Sequence, residues 1–286
     1  MKAIFFLLLL IFIISLMIIA GYYTFLPADN RKRFTGIKYL KEQLMSPHVY
    51  PYLILAGSIY LLMKSEVHFS MQPWMIYLPQ LAQYILLLEG SKVSYFQMVI
   101  HPILTYISVF IYLCGFSYLL IFTFLLLVIT RQFEVLQEYS IGFILIYLVA
   151  FPFYIFTPVK VTGYSLPNVA PLLYDLDPIV REALHVVDPL QDNCFPSLHA
   201  ALSIMAMLII LFRTDLTRFK IFAVSLTLAI QFTIFYLGIH WIADFIAGMA
   251  LGCLSYFVAT RYGHYIASHI PLLASTKLDL DTFEKK

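Results

Sequence analysis

The sequence predicts an all-α integral membrane protein, a polytopic helical bundle of about six core spans behind an N-terminal anchor span. Three observations predict it. Of the 286 residues, 62% are hydrophobic and only 12% charged, whereas soluble domains are roughly half apolar and a quarter charged. Apolar runs close to the roughly 20 residues needed for a helical crossing recur along the chain. Basic residues collect in a few short stretches between those runs, as in cytoplasmic loops. The formal charge of +2 comes with no Lys/Arg run interleaved with aromatics, so a nucleic-acid partner is not expected. The three cysteines (Cys114, Cys194, Cys253) form neither a metal-type cluster nor an even disulfide set and read as small apolar fillers.

The first element is "MKAIFFLLLLIFIISLMIIAGYY", whose apolar core runs from Ala3 to Leu26. A cleaved signal peptide has a core of only about 7–15 residues and a small-residue cleavage site. Neither is present, and the segment reads as a retained anchor. Further spans are predicted at Pro47–Met63, Ser108–Thr130, Tyr139–Phe156, Ser197–Phe212, Ile221–Ile239 and His240–Thr260. The segment Pro73–Glu89 mixes apolar residues with proline, glutamine and glutamate and reads either as a further span or, preferred here, as a helix lying in the interface. Tyr95–Thr130 is too long for one straight crossing, so its first part, with His101 and Pro102, is expected to lie flat. The organisation is then an anchor with a basic loop (1–46), one membrane domain (47–262) and a C-terminal tail (263–286).

Orientation follows from the basic clusters. Arg31, Lys32, Arg33, Lys38 and Lys41 crowd the first loop, Arg213, Arg218 and Lys220 another, and Arg261, Lys285 and Lys286 mark the C-terminal end. All are compatible with one cytoplasmic side. The long segment Thr157–Phe195 then lies on the opposite side and is richer in acid (Asp175, Asp177, Glu182, Asp188, Asp192) than in base. His199 begins a span descending from that side, and His240 arrives back at it. Two histidines far apart in sequence thus reach the same depth.

Ionisable groups inside spans are costly and usually functional. With helical spacing, Asp244 lies one turn from His240, can accept a hydrogen bond from one ring nitrogen and orients the other. In "PSLH", Pro196 suits a first helical position, the free N–H groups of a helix start bind phosphate-like anions, and Ser197 adds a hydroxyl. A nucleophilic histidine, its carboxylate, a second histidine as acid/base and an anion cradle together suit phosphoryl transfer. A metal held by His199, His240 and Asp244 competes with this reading, as does a transporter or proton relay through His240 and Asp244. Broken helices or repeated halves, the usual signs of a transporter, are not found.

"PSLH" followed about forty residues later by H-x-x-x-D resembles the second and third motifs of the type-2 phosphatidic acid phosphatase superfamily. "EGSKVSYFQMVIHPILTYISVFIYL" and the order of spans are similar to the inositol phosphorylceramide synthase branch. The resemblance is sharp over Asn193–Gly252 and diffuse from about Glu89. It implies a membrane enzyme acting on a lipid phosphate or phospholipid, without metal or other cofactor; the basic clusters put its site on the face away from the cytoplasm. His240 would attack phosphorus, Asp244 would orient it, and His199 would protonate the leaving oxygen. Water as acceptor makes a phosphatase; a lipid or polyol hydroxyl makes a phosphotransferase. A non-catalytic relative would keep the same motifs. Two departures stand out: the first motif, a lysine followed by arginine-proline, has no clear counterpart, and the arginine six residues before the third-motif histidine is here Ile234. Lys160 and Arg181 are the candidate substitutes for phosphate binding.

Overall fold

The computed structural model describes residues 2–26, 28, 31, 36–70 and 80–274. Lys32, Arg33, Pro73 and the terminal lysines lie outside them. Helices α1 (Lys2–Phe25), α2 (Ile37–Leu44), α3 (Tyr50–Ser70) and α4 (Gln80–Glu89) lead, through a 3-10 turn at Lys92–Gln97, into α5 (Pro102–Ile129) and α6 (Phe133–Phe156). After a long connection carrying α7 (Pro178–Val187) come α8 (Leu198–Arg213), α9 (Thr217–Tyr236) and α10 (Ile242–His269). Among the described residues the only extended pairing is one parallel bridge between Val159 and Asn193. The all-α membrane bundle is what composition and apolar runs predict. Five helices, α1, α5, α6, α9 and α10, are long and apolar enough to cross a membrane. α8 is a shorter apolar helix, while α3 carries Lys64 and Glu66 in its last turns.

The boundaries differ from the sequence reading in instructive places. Pro102 does not belong to a flat segment: it is the first residue of α5, capped by His101, whose Nδ1 accepts from Ile103 N at 3.3 Å. Proline at this position has the right φ and lacks an N–H that would go unpaired anyway. A π-helical turn at Ile111–Gly115 interrupts the helix midway. α10 runs on to His269, past the expected end at Thr260.

The core is the contact of α6, α8 and α10. Leu136, Ile146, Tyr154, Leu202 and Met205 are fully enclosed. Close approach of α8 and α10 is set by Gly248 and Gly252. A Cβ on either would stand 2.5 Å from a carbonyl oxygen, of Ser197 and Ala201 respectively. This is the small-xxx-small packing by which membrane helices associate without hydrophobic drive. One end of the bundle gathers the start of α8, the start of α10 and the long connection; the other gathers Arg213, Glu138 and Glu134. α1 lies at the periphery, with most of its face exposed.

Candidate active site

His240 stands outside any helix. It follows a turn in which Gly238 takes φ +72°, and a Cβ there would collide with the Ala170 carbonyl oxygen. The backbone of this turn is pinned on both sides. Ile239 N and His240 N donate to Ile234 O at 3.2 and 3.1 Å, while Thr162 N and Gly163 N donate to Ile239 O and Gly238 O at 3.1 and 2.8 Å. Gln97 adds a strut: its amide nitrogen donates to Ala170 O and Tyr236 O, and its oxygen accepts from Ala170 N, all at 2.8 Å.

Asp244 does reach His240, but as a helix cap partner and not across one helical face. Trp241 is the N-cap of α10 and Asp244 occupies the third helical position. Its Oδ2 accepts from Trp241 N at 2.9 Å and lies 3.3 Å from His240 Nδ1. A carboxylate in this place satisfies a free helix-start N–H and holds the ring with the same oxygen. Its second oxygen, Oδ1, is buried and has no hydrogen-bond partner among the described residues. Asp244 is 0% exposed and His240 3%.

His199 is the second residue of α8, and its ring centroid lies 6.0 Å from that of His240. It is clasped by Tyr112, stacked at 4.2 Å, and by Phe116, also at 4.2 Å. Both come from the π turn of α5 and the residue after it, and such turns recur at functional sites. Ser197 is the N-cap of α8, with its Oγ accepting from Ala200 N at 3.3 Å; it is fully buried. Pro196 therefore precedes the cap and is not the first helical residue. The start of α8 is tied to α10 through Ser197 N donating to Asp244 O at 3.1 Å, and to α6 through Tyr154 Oη donating to Pro196 O at 2.9 Å.

The two histidines open into a cavity of about 720 Å³ whose walls come from α1, α3, α5, α6, α8 and the long connection. Most of its lining is apolar or aromatic, including Phe6, Leu10, Leu113 and Phe143; Glu66, Asp188 and Asn193 form a polar part. Of the two substitute cations read from the sequence, neither lines this cavity. Lys160 is exposed, and its carbonyl accepts from Trp241 Nε1 at 3.0 Å. Arg181 pairs with Asp175 and donates from Nε to Tyr174 O at 3.0 Å. Among the described residues the lysine or arginine on the cavity wall is Lys64, whose Nζ donates to Val186 O at 3.1 Å.

Three neighbours escaped the sequence reading. Glu89, at the end of α4, accepts from Ile242 N at 3.1 Å and Ala243 N at 2.8 Å, so a carboxylate from another helix fills the start of α10. Burial raises its pKa, with Asp244 adding to the rise and the two backbone N–H groups opposing it. Asp192 is pushed up to about 6 by burial and then by Asp188 and Glu66. Cys194, read as filler, offers a sulfur that lies within 4.8 Å of ligand atoms on both His240 and Asp244. His199 does not take part in that group. The sequence signal for Glu89 was present, since a charge closing an apolar run is expensive unless it has a partner.

Residues 93–258 match the family model of the PAP2 superfamily, more than half of the chain. The chain belongs to the PAP2 superfamily. The match takes in α5 through most of α10 and so contains both histidines, Asp244 and the π turn, while α1 to α4 precede it. Membership in the PAP2 superfamily carries a phosphatase- or phosphotransferase-type function, here in a multi-pass membrane protein. Comparison with curated proteins and with solved structures returned no match.

Proposed function

We propose that this protein transfers a phosphoryl-type group from a lipid phosphoester to a hydroxyl acceptor through a covalent phosphohistidine at His240. Asp244 accepts the Nδ1 proton as a hydrogen bond and leaves the Nε2 lone pair for attack. As the Nε2–P bond forms, the lipid O–P bond breaks, and protonated His199 gives its proton to the leaving oxygen. In the second step His199 takes the proton of the acceptor hydroxyl, whose oxygen attacks phosphorus and frees His240. The observation that supports this most is the meeting of two motif histidines, 6.0 Å apart ring to ring, at the head of a mainly apolar cavity. A lipid chain fits the apolar part, and the helix caps hold the reacting end rigidly. An alcohol acceptor is favoured over water by Ile234 at the place of the motif arginine and by the resemblance to the inositol phosphorylceramide synthase branch.

The site faces away from the cytoplasm in this reading. α2, which carries Lys38 and Lys41 and accepts from Arg131 Nε through Tyr39 Oη, and Arg213 lie at the opposite end of the bundle, and short basic loops stay inside. Cysteines introduced near Asp175 should react with an impermeant reagent added to intact cells, and cysteines near Arg213 should not; the reverse would overturn the topology. The reaction is tested on the purified protein with a panel of lipid phosphates and phosphodiesters, with and without alcohol acceptors. Labelled phosphoenzyme should be trapped in the wild type and absent in His240→Ala. Activity should persist after treatment with a strong chelator. Loss to the chelator with recovery on added metal would sink the metal-free mechanism.

A further inference from the structure

We propose that Cys194, His240 and Asp244 form an inhibitory binding site for zinc or a similar thiophilic divalent cation. The proposal rests on the reading of His240 as nucleophile for its consequence, inhibition, but not for the binding itself.

The three residues offer one sulfur, one ring nitrogen and one carboxylate oxygen, all within 4.8 Å of one another and all buried. A tetrahedral zinc with bonds of about 2.0–2.3 Å sets its donors roughly 3.4–3.6 Å apart. His240 Nδ1 and Asp244 Oδ2 are already at 3.3 Å, so the sulfur needs to approach by about 1.4 Å at most, within the range of a side-chain adjustment. Each donor is anchored by its backbone. Cys194 N donates to Val159 O at 3.2 Å beside the isolated bridge, and its Sγ faces Ile239 O at 3.5 Å, next to His240. His240 sits on the pinned glycine turn, and Asp244 is locked into the α10 cap.

A second observation points to a ligand here. Asp244 Oδ1 is buried without a hydrogen-bond partner among the described residues. Such an atom costs about 1–3 kcal/mol, more when charged, unless something satisfies it. A cation bound by both carboxylate oxygens, Oδ2 beside His240 Nδ1 and Oδ1 together, supplies that partner. Cys194 and His240 both line the cavity, leaving the fourth zinc position open towards it. The soft sulfur selects zinc over magnesium or calcium, which prefer all-oxygen ligands.

Occupancy blocks the chemistry by a simple proton balance. The thiol releases its proton on binding, and zinc takes the Nδ1 lone pair. The neutral imidazole must then carry its proton on Nε2, which removes the lone pair that would attack phosphorus.

The test uses the full-length purified protein in a Cys253→Ser background, since Cys253 is exposed. Cobalt serves as a spectroscopic stand-in, and zinc as the inhibitor. Wild type should show a thiolate-to-cobalt charge-transfer band, and Cys194→Ser and His240→Ala should each lose it. Zinc should inhibit turnover, and Cys194→Ser should need at least about tenfold more zinc for half-inhibition, each protein being compared with its own metal-free rate. Magnesium should have no such effect. A band that persists in Cys194→Ser, zinc inhibition unchanged by that substitution, or stimulation by zinc would each overturn the proposal. If the cobalt band behaves as expected in a protein that transfers no phosphoryl group, the metal site stands and the reading of the reaction fails.

Discussion

Each end of the bundle buries a carboxylate against a basic partner, and the two pairs are built differently. At the end away from the cavity, Arg213 grips Glu138 in a fork, Nε to Oε2 at 2.8 Å and Nη2 to Oε1 at 2.7 Å, with Glu134 a further 3.6 Å from Nη2. Both carboxylate oxygens are satisfied, and the pair ties α8 to α6. At the site end, His240 and Asp244 share one 3.3 Å contact, Asp244 keeps one oxygen without a partner among the described residues, and the ring faces a cavity. A saturated ion pair has no interaction left to give and serves as a strut. An unsaturated one, held rigid by backbone caps, keeps a lone pair for a substrate. In low dielectric the unsatisfied atom is costly, so its presence separates the reactive pair from the structural one.

The sharpest way to break this contrast is to remove one member of each pair. His240→Ala should abolish turnover to background while leaving thermal stability in detergent close to wild type, because the turn is held by backbone bonds. Glu138→Ala should do the reverse. It strips a partly exposed arginine of its partner and should cost about 1–3 kcal/mol of stability, with activity per folded molecule retained. Stability from unfolding curves and turnover of the folded fraction check both. Loss of activity in folded Glu138→Ala together with retained activity in folded His240→Ala would erase the distinction.

Within the site pair, the next effects are graded. His199→Ala should lower turnover by about 10²–10⁴, the usual contribution of general acid/base catalysis. A substrate with a good leaving group should recover much of the first step in His199→Ala and none of it in His240→Ala. Asp244→Asn should reduce kcat more than it alters KM, because the amide can no longer fix the productive tautomer. Equal rescue of both histidine variants would mean that His199 does not protonate the leaving oxygen.

How much of this was legible follows from what each residue touches. The helical class and the convergence of His199 and His240 could be read because both depend on the order of apolar runs, which is a local property summed along the chain. Asp244 was read as the partner of His240 for a reason that differs from the structure's: the spacing is right, but the contact is made through the α10 cap, with His240 outside the helix. Glu89 could not be assigned a role, since its partners are backbone N–H groups more than 150 residues away, and backbone donors leave no trace in residue types. Cys194 was read as filler for a similar reason. Its nearness to His240 and Asp244 depends on the Val159–Asn193 bridge, a tertiary pairing with no periodic signal. Pro102 shows the converse: the length of its apolar run does not reveal where α5 begins, while the proline itself marks a helix start.

The smallest expected effect lies in the acidic lobe of the long connection, where a third arrangement stands between the saturated and the reactive pair. Asp192 has a buried Oδ1 without a hydrogen-bond partner among the described residues, and Asp188 and Glu66 repel its charge while Lys160 weakly offsets them. Its pKa is pushed from the usual 3.8 to about 6. A raised folded-state value means that the folded protein holds the proton more tightly than the unfolded chain does. The stabilisation from this proton is therefore full below about pH 4, declines as pH climbs, and is gone above about pH 6. Asparagine carries no charge in either state, so Asp192→Asn should remove that slope. The variant's stability relative to wild type should rise between about pH 4 and 6 and then level off, by a Tm difference on the order of a few °C. Thermal unfolding of both proteins in detergent across this range checks it, and taking the difference cancels the titration of groups not coupled to Asp192, such as Glu89. A difference that stays constant from pH 4 to 6.5 would show that Asp192 is as well solvated in the folded protein as in the unfolded chain, and that its unpartnered oxygen marks no buried charge.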